Sequence, residues 1–283
     1  MQTISELKQD LEFNRNIGDI IEVLKASSII QFRALQFKEK PDKNYLLAIQ
    51  GCFDMLDAGR IEHPYVYERK GLPSLIVVVT SDEGFLGELN TLLVNAALDQ
   101  ARGGDDEIVV LGERGAKYLE DMDKNFVSLS GIPDDIDYRQ LEGIRDYLFA
   151  GYLKRFGRAL IVYPEFISLT TQRVTVLQYL PYGLQPRGVE KSFPARDVLI
   201  CPGRVNVLER LVELWAAFKI FEIAWSSKQS EYAARIMHLE GSSQELSHLN
   251  QRLSFNYFRL VHAKSDKSIR EVSASKMMLE RER

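Results

Sequence analysis

Ser230-Glu-Tyr-Ala-Ala-Arg-Ile-Met-His-Leu239, followed by Leu253-Ser-Phe-Asn-Tyr257-Phe-Arg259, is the densest part of a run from Asn206 to Arg283 that reads as helix over most of its length. No proline interrupts the run after Pro202. At 1.5 Å rise per residue, roughly 75 helical residues reach roughly 110 Å, well past the diameter of one small domain. A rod of that length cannot be buried by its own chain. It predicts an antiparallel partner from elsewhere in the sequence or a cavity in another protein.

Working outward, the opposite end of the chain is also helical. Ile4, Leu7 and Leu11 follow 3-then-4 spacing, and Ile17, Ile21 and Leu24 resume it, the seam of a coiled coil or bundle helix. Thr3 or Ser5 can cap its start, and a break is expected near Pro41-Asp-Lys-Asn. Asp57-Ala-Gly-Arg and His63-Pro then end the helical region.

The middle, roughly 71 to 193, alternates strand and helix signals. Leu75-Ile-Val-Val-Val79 has the look of a strand buried on both faces of a parallel sheet. An amphipathic helix from about Gly87 to Ala101 follows, stopped by Gly103-Gly104. Glu107-Ile-Val-Val-Leu111 is a second strand, ending at Gly112-Glu-Arg-Gly115. Gln140 to Phe156 reads as a crossover helix, Ala159-Leu-Ile-Val-Tyr163 as a third strand and Val174 to Leu180 as a fourth, closed by Pro181. This alternation predicts an α/β sheet of Rossmann type joined by right-handed crossovers. Gly183, Pro186, Gly188 and Pro194 mark a linker into the C-terminal rod. The boundaries expected are 1–60 for the N-terminal coiled-coil helix, 71–195 for the Rossmann-like domain and 203–283 for the C-terminal coiled-coil helix.

Composition narrows the function classes. The 283 residues are 45% hydrophobic and 27% charged, with a net charge of −4. That charge supplies no field to draw the molecule to nucleic acid or anionic lipid. Cys52 and Cys201 are the two cysteines, which favours a reducing compartment over a disulfide scaffold. The N-terminus has no apolar signal core, and the longest apolar runs are far too short to span a bilayer. The expectation is a soluble cytoplasmic protein.

Few residues invite chemistry. Thr80-Ser-Asp-Glu-Gly84-Phe-Leu-Gly87 sits between a buried strand and a helix, where phosphate-cradling loops lie. Its spacing matches neither glycine fingerprint, and Glu83 and Glu88 put negative charge where a phosphate would sit. A tight turn with glycines for packing is the favoured reading. Asp82 stands where α/β enzymes place a catalytic carboxylate, but capping of the following helix is the favoured reading. His63, His238, His248 and His262 have no partner at metal-ligand spacing, and neither cysteine sits in a C-x-x-C pair. No catalytic, cofactor or metal site is expected. Leu208, Leu211, Trp215 and Phe218 form an apolar stripe for the core, while Arg235, Arg252, Arg259, Lys264, Lys267 and Arg270 read as a solvated face or as a polar surface turned against several partners.

Five segments in order resemble the gamma subunit of F-type ATP synthases. Thr80-Ser81-Asp82-Glu83-Gly84-Phe85-Leu86-Gly87-Glu88-Leu89-Asn90 is similar to the family's Thr-Ser-Asp-Arg-Gly-Leu-Cys-Gly-Gly-Leu-Asn. Gly112-Glu-Arg-Gly115 resembles its Gly-Arg-Lys-Gly turn, and Phe166-Ile-Ser168 with Gln172 and Leu180-Pro181 resembles its Phe-x-Ser-x-x-x-Gln and Leu-Pro signature. Ser230 to Met237 is similar to Ser-Glu-His-Ala-Ala-Arg-Met, and Leu24-Lys25-Ala26-Ser27-Ser28 to Met-Lys-Met-Val-Ala-Ala-Ser. The resemblance covers nearly the whole chain.

It implies an α/β plus coiled-coil fold, with long N- and C-terminal helices wound into an antiparallel coiled coil and a Rossmann-like α/β domain inserted between them. It implies a non-catalytic central-stalk rotor shaft, present once per complex, that couples ATP synthesis or hydrolysis to rotation and ion transport. The implied partners are a hexamer of alpha and beta subunits, an epsilon-type subunit and the membrane c-ring, with no nucleic acid and no cofactor. The implied location is the cytoplasmic side, peripheral to the membrane. The implied subunit-interface residues are Leu7, Leu11, Leu24, Lys25, Arg235, Tyr257, Arg259, Lys267 and Glu271. Where family members carry an Arg-Gln pair and a Thr, this chain has Val261, His262 and Asp266, and its C-terminal end is the charged Ser275 to Arg283. Those departures point to a divergent member of a specialised F-type-like ATPase. The readings kept beside it are a nucleotide- or small-ligand-dependent α/β enzyme dimerised through its terminal helices, and a static coiled-coil scaffold.

Overall fold

The computed structural model describes residues 3–38, 43–56, 58, 61–136, 138–183 and 199–281. The expected break at Pro41 and most of the expected linker, 184–198, lie outside them. The first helix, α1, runs Ile4–Phe37, and α2 runs Lys43–Leu56. The α/β layer then proceeds as β1 (Ser74–Val79), α3 (Leu89–Gln100), β2 (Glu107–Leu111), α4 (Glu113–Asp121), β3 (Val127–Leu129), α5 (Tyr138–Lys154), β4 (Arg158–Ser168) and β5 (Thr171–Leu180). Helix α6 is unbroken from Arg204 to Arg281.

Thr3 opens α1 with a reciprocal cap: the Glu6 N–H donates to Thr3 Oγ1 at 3.2 Å, and the Thr3 N–H to Glu6 Oε2 at 2.7 Å. The sheet order is β3-β2-β1-β4-β5. Strand β1 is parallel to both neighbours and buried throughout, as its β-branched run predicts. Its side chains alternate between two cores. Leu75, Val77 and Val79 face a cluster with α2, α5 and the Leu208, Val212, Ala216, Ile220 and Ile223 stripe of α6. Ile76 and Val78 face α3 and α4.

Three features differ from the sequence reading. Strand β5 is antiparallel to β4, because only Leu169 and Thr170 separate them and a crossover needs a dozen residues or more. The sheet is therefore mixed. Helix α4 occupies the stretch read as a turn and polar segment, and β3 adds a short parallel edge strand beside β2.

The chain resolves into two compact units, one of residues 1–29 with 236–283 and one of residues 30–235. The first is a pair of helices. Asn14 Nδ2 donates to Asn250 Oδ1 at 2.9 Å, Ser243 Oγ to Glu22 Oε1 at 3.0 Å, and Lys25 Nζ to Glu240 Oε2 at 3.1 Å. One number rises as the other falls, so the helices are antiparallel. The second unit is the α/β layer with its flanking helices.

Candidate functional site

In an open α/β sheet the ligand crevice lies outside the carboxyl ends of the strands, where the strand order reverses. Here that point is between β1 and β4. Thr80 to Gly87 leaves β1 there and is tied down by its own side chains. Thr80 Oγ1 donates to the Leu111 carbonyl at 2.8 Å and accepts from the Gly115 N–H at 3.1 Å. Asn90 brackets Ser81, accepting from its N–H at 3.2 Å and donating to its Oγ at 2.9 Å. The Asp82 carboxylate accepts from the Glu113 N–H at 3.0 Å. Asp82 thus caps α4, a helix the sequence reading did not include, while Glu88 at the start of α3 makes no side-chain cap. The loop interlocks two strand ends, with the Thr80, Ser81 and Asp82 side chains bonded within the protein.

Helix α6 fills the crevice itself. Ser227, Lys228 and Glu231 face Thr80, Ser81, Asn90 and Pro164 across a space of about 10 Å³. That is room for about one water molecule, not for a nucleotide. Among the described residues, no group of three or more His, Cys, Asp or Glu side chains is placed to hold a metal ion.

From Ile223 to Arg235, α6 is buried at every position except the half-buried Ser226 and Gln229. A helix buried on all sides must have its charges paired. Lys228 pairs with Glu231 at 2.9 Å and Asp134 at 3.1 Å, and Arg235 with Glu231 at 2.8 Å and Glu83 at 3.2 Å. The Arg235 Nε also donates to the Gly84 carbonyl at 3.2 Å. Asp134 is a hub, accepting from Gln31 of α1 at 3.0 Å and from Lys228 at 3.1 Å, with the Tyr232 hydroxyl beside it. Burial would raise its pKa, but the neighbouring Tyr232 hydroxyl and the Lys228 charge hold the carboxyl below its usual value. Burial and the carboxylate beside it push the Tyr232 hydroxyl far up.

Of the interface residues implied by the resemblance, Arg235 is buried and engaged inside the α/β unit, not on a solvated face. The other basic residues read as a solvated face, Arg252, Arg259, Lys264, Lys267 and Arg270, are exposed. In the helix pair Leu7 is buried, Leu11, Leu24 and Tyr257 are half-buried, and Glu271 is exposed. Lys25 is tied to Glu22 at 2.7 Å and Glu240, and those bonds raise its pKa. Val261 is half-buried, and His262 and Asp266 are exposed.

The sequence reading missed Asn14, Asn250, Lys228 and Asp134. The first pair carried a signal, since Asn14 interrupts the Leu7 and Leu11 seam where an apolar residue is due. Asp134 carried none, lying 94 residues from its lysine.

One more arrangement belongs to the helix pair. Phe255, Phe258, Ile269 and Val272 are 69%, 57%, 65% and 67% exposed, and they fall on one 3-4 seam through His262 and Ser265. Counting outward from Asn14 and Asn250, the start of α1 lies opposite about residue 260. Beyond it every side chain from His262 to Ser275 is exposed.

A family model described as ATP synthase matches residues 3–276. The ATP synthase gamma chain of Geotalea daltonii is 23% identical over 280 residues, covering 96% of this chain and 97% of that one. That of Clostridium acetobutylicum is 26% identical over 212 residues, or 74% and 73% of the two chains. Among solved structures, a chain of the Euglena gracilis mitochondrial ATP synthase, from an OSCP, F1 and c-ring assembly in rotational state 3, superposes with a TM-score of 0.70. It is 15% identical, and the match covers 98% of this chain and 94% of that one. A chain of the same enzyme's rotor in rotational state 1 gives 0.65 at 16% identity, over 90% and 96%. At those identities the structural likeness speaks for the fold alone.

Proposed function

The chain belongs to the ATP synthase gamma-chain family, and from that premise we propose that it is the central-stalk rotor shaft of an F-type or F-type-like rotary ATPase. Its work is mechanical. It performs no bond-making step; catalysis belongs to an alpha and beta hexamer whose sites it biases in turn. A shaft can do so only by making contacts of different energy with each conformation it meets. An epsilon-type subunit and the membrane c-ring complete the proposed set, with one copy of the shaft per complex, peripheral to the cytoplasmic face of the membrane. No helix among the described residues is long and apolar enough to cross a bilayer itself.

The observation that carries this reading is the exposed end of α6. From residue 262 to 281 it runs roughly 30 Å past the start of α1. Helices in proteins take most of their stability from packing an apolar face. The seam of Phe255, Phe258, Ile269 and Val272 needs cover from another chain, and a surrounding hexamer supplies cover on every face. Arg259, Lys267 and Glu271 sit on this stretch as the proposed contacts. Val261, His262 and Asp266 lie among them, so the contacts of this shaft differ from the family's common set.

The test is purification of the native complex through a tag on this chain. Alpha- and beta-type subunits at three copies each per tagged chain are expected. A chain recovered without an ATPase hexamer overturns the proposal.

A further inference from the structure

Strand β4 outlasts its neighbour. The parallel pairing of β1 with β4 ends at Val78 and Val162, yet β4 continues to Ser168. Among the described residues, no strand bonds the β1-facing edge of β4 past Val162. Helix α6 takes that place. The Phe166 N–H donates to Ser226 Oγ at 2.9 Å, and Ser230 Oγ donates to the Pro164 carbonyl at 3.0 Å. Two serines one helical turn apart thus stand in for the missing strand.

The opposite side of the same turns is held as well. Each residue of an α-helix advances about 100° around the axis. With Ser226 set at zero, Ser230 stands at about 40°, whereas Arg235, Lys228 and Tyr232 stand at about 180°, 200° and 240°. Lys228 pairs with Asp134, and Arg235 bonds Gly84, so both anchors lie in loops outside β4. A helix held from one side can roll against its support, because apolar packing is non-directional. Directional bonds from two opposed sides block that roll.

We propose that Ser226 and Ser230, opposed by Lys228 on Asp134 and Arg235 on Gly84, are positioning residues that stop α6 from turning about its own axis against the sheet. Helix and sheet then carry torque as one piece. The inference rests on the rotor reading, since only a shaft needs such a grip.

The test uses the assembled complex with its hexamer fixed to a surface. A bead is attached through the exposed Cys52 of α2, with Cys201→Ser making that thiol unique. The angular variance of the bead at a nucleotide-arrested dwell reports torsional stiffness. Ser226→Ala with Ser230→Ala is expected to widen the variance at least twofold, with subunit stoichiometry unchanged. Ser226→Thr with Ser230→Thr, which keeps both hydroxyls, is expected to restore it. Should the double alanine chain not assemble, the single Ser226→Ala and Ser230→Ala chains decide, each expected to widen the variance. A merely structural role lowers the melting temperature and leaves the variance of assembled complexes alone. Unchanged variance in assembled alanine variants overturns the inference. Failure of the unmodified chain to join any hexamer overturns the rotor reading instead.

Discussion

At Gly112 the backbone has φ of 104°, and a Cβ would stand 2.5 Å from the Thr80 carbonyl oxygen. At Gly241, within α6, a Cβ meets nothing within 4 Å. Gly112→Ala is therefore expected to lower stability by more than about 1 kcal/mol, through a left-handed backbone and a clash together. Gly241→Ala is expected to raise it by up to about 1 kcal/mol, from helix propensity alone. Denaturant unfolding of both variants reads the opposite signs. Asp134 yields a prediction in pH. Its folded pKa lies below the unfolded value of about 3.9, so its contribution is present above that pH and fades as pH falls through the folded pKa. Stability curves of the unmodified chain and of Asp134→Asn should stay apart from neutral pH down to about pH 4 and converge only below it. Convergence already at pH 6 contradicts the assigned network. Neither residue's role was legible in sequence. Gly112 looked like a turn glycine, and the acceptor it crowds belongs to Thr80, on another strand's end.

At the scale of elements, the helix pair tests how register is set. A polar pair in an otherwise apolar seam fixes alignment at some cost in stability. Asn14→Leu with Asn250→Leu should raise the denaturation midpoint of the pair while loosening its register. Cysteines at 22 and 243, where Glu22 and Ser243 are bonded, report that register. They should form one disulfide in the native pair, and the leucine variant should also yield products with a cysteine placed at 239 or 247. A single product in both backgrounds removes the register role. The long helices and the β1 core strand were readable because their periods are strong: 3-then-4 spacing in α1 and a continuous β-branched run in β1. The direction of β5 was written in the two residues before it, since Leu169 and Thr170 leave no length for a crossover. Helix α4 was hidden by its brevity and by Gly112 and Gly115, which resemble a turn until Asp82 is seen capping it. Strand β3 has three residues, two of them exposed, and shows no apolar run.

At the scale of the whole molecule, family membership was legible because five short segments kept their order along nearly the full chain. What those segments do locally was not. The Thr80 to Gly87 loop suggests a phosphate site by position, yet α6 occupies its crevice with Ser227, Lys228 and Glu231. That occupancy weighs against a nucleotide-dependent enzyme and suits a helix anchored in its own sheet. As the proposed shaft, this chain is expected to turn inside a hexamer while the hexamer hydrolyses ATP. The direct measurement is bead rotation in the surface-fixed complex, with the bead on Cys52 and ATP supplied. The account predicts stepwise rotation in one direction that stops when ATP is withdrawn. A bead that only fluctuates about one angle while the same complexes hydrolyse ATP contradicts it.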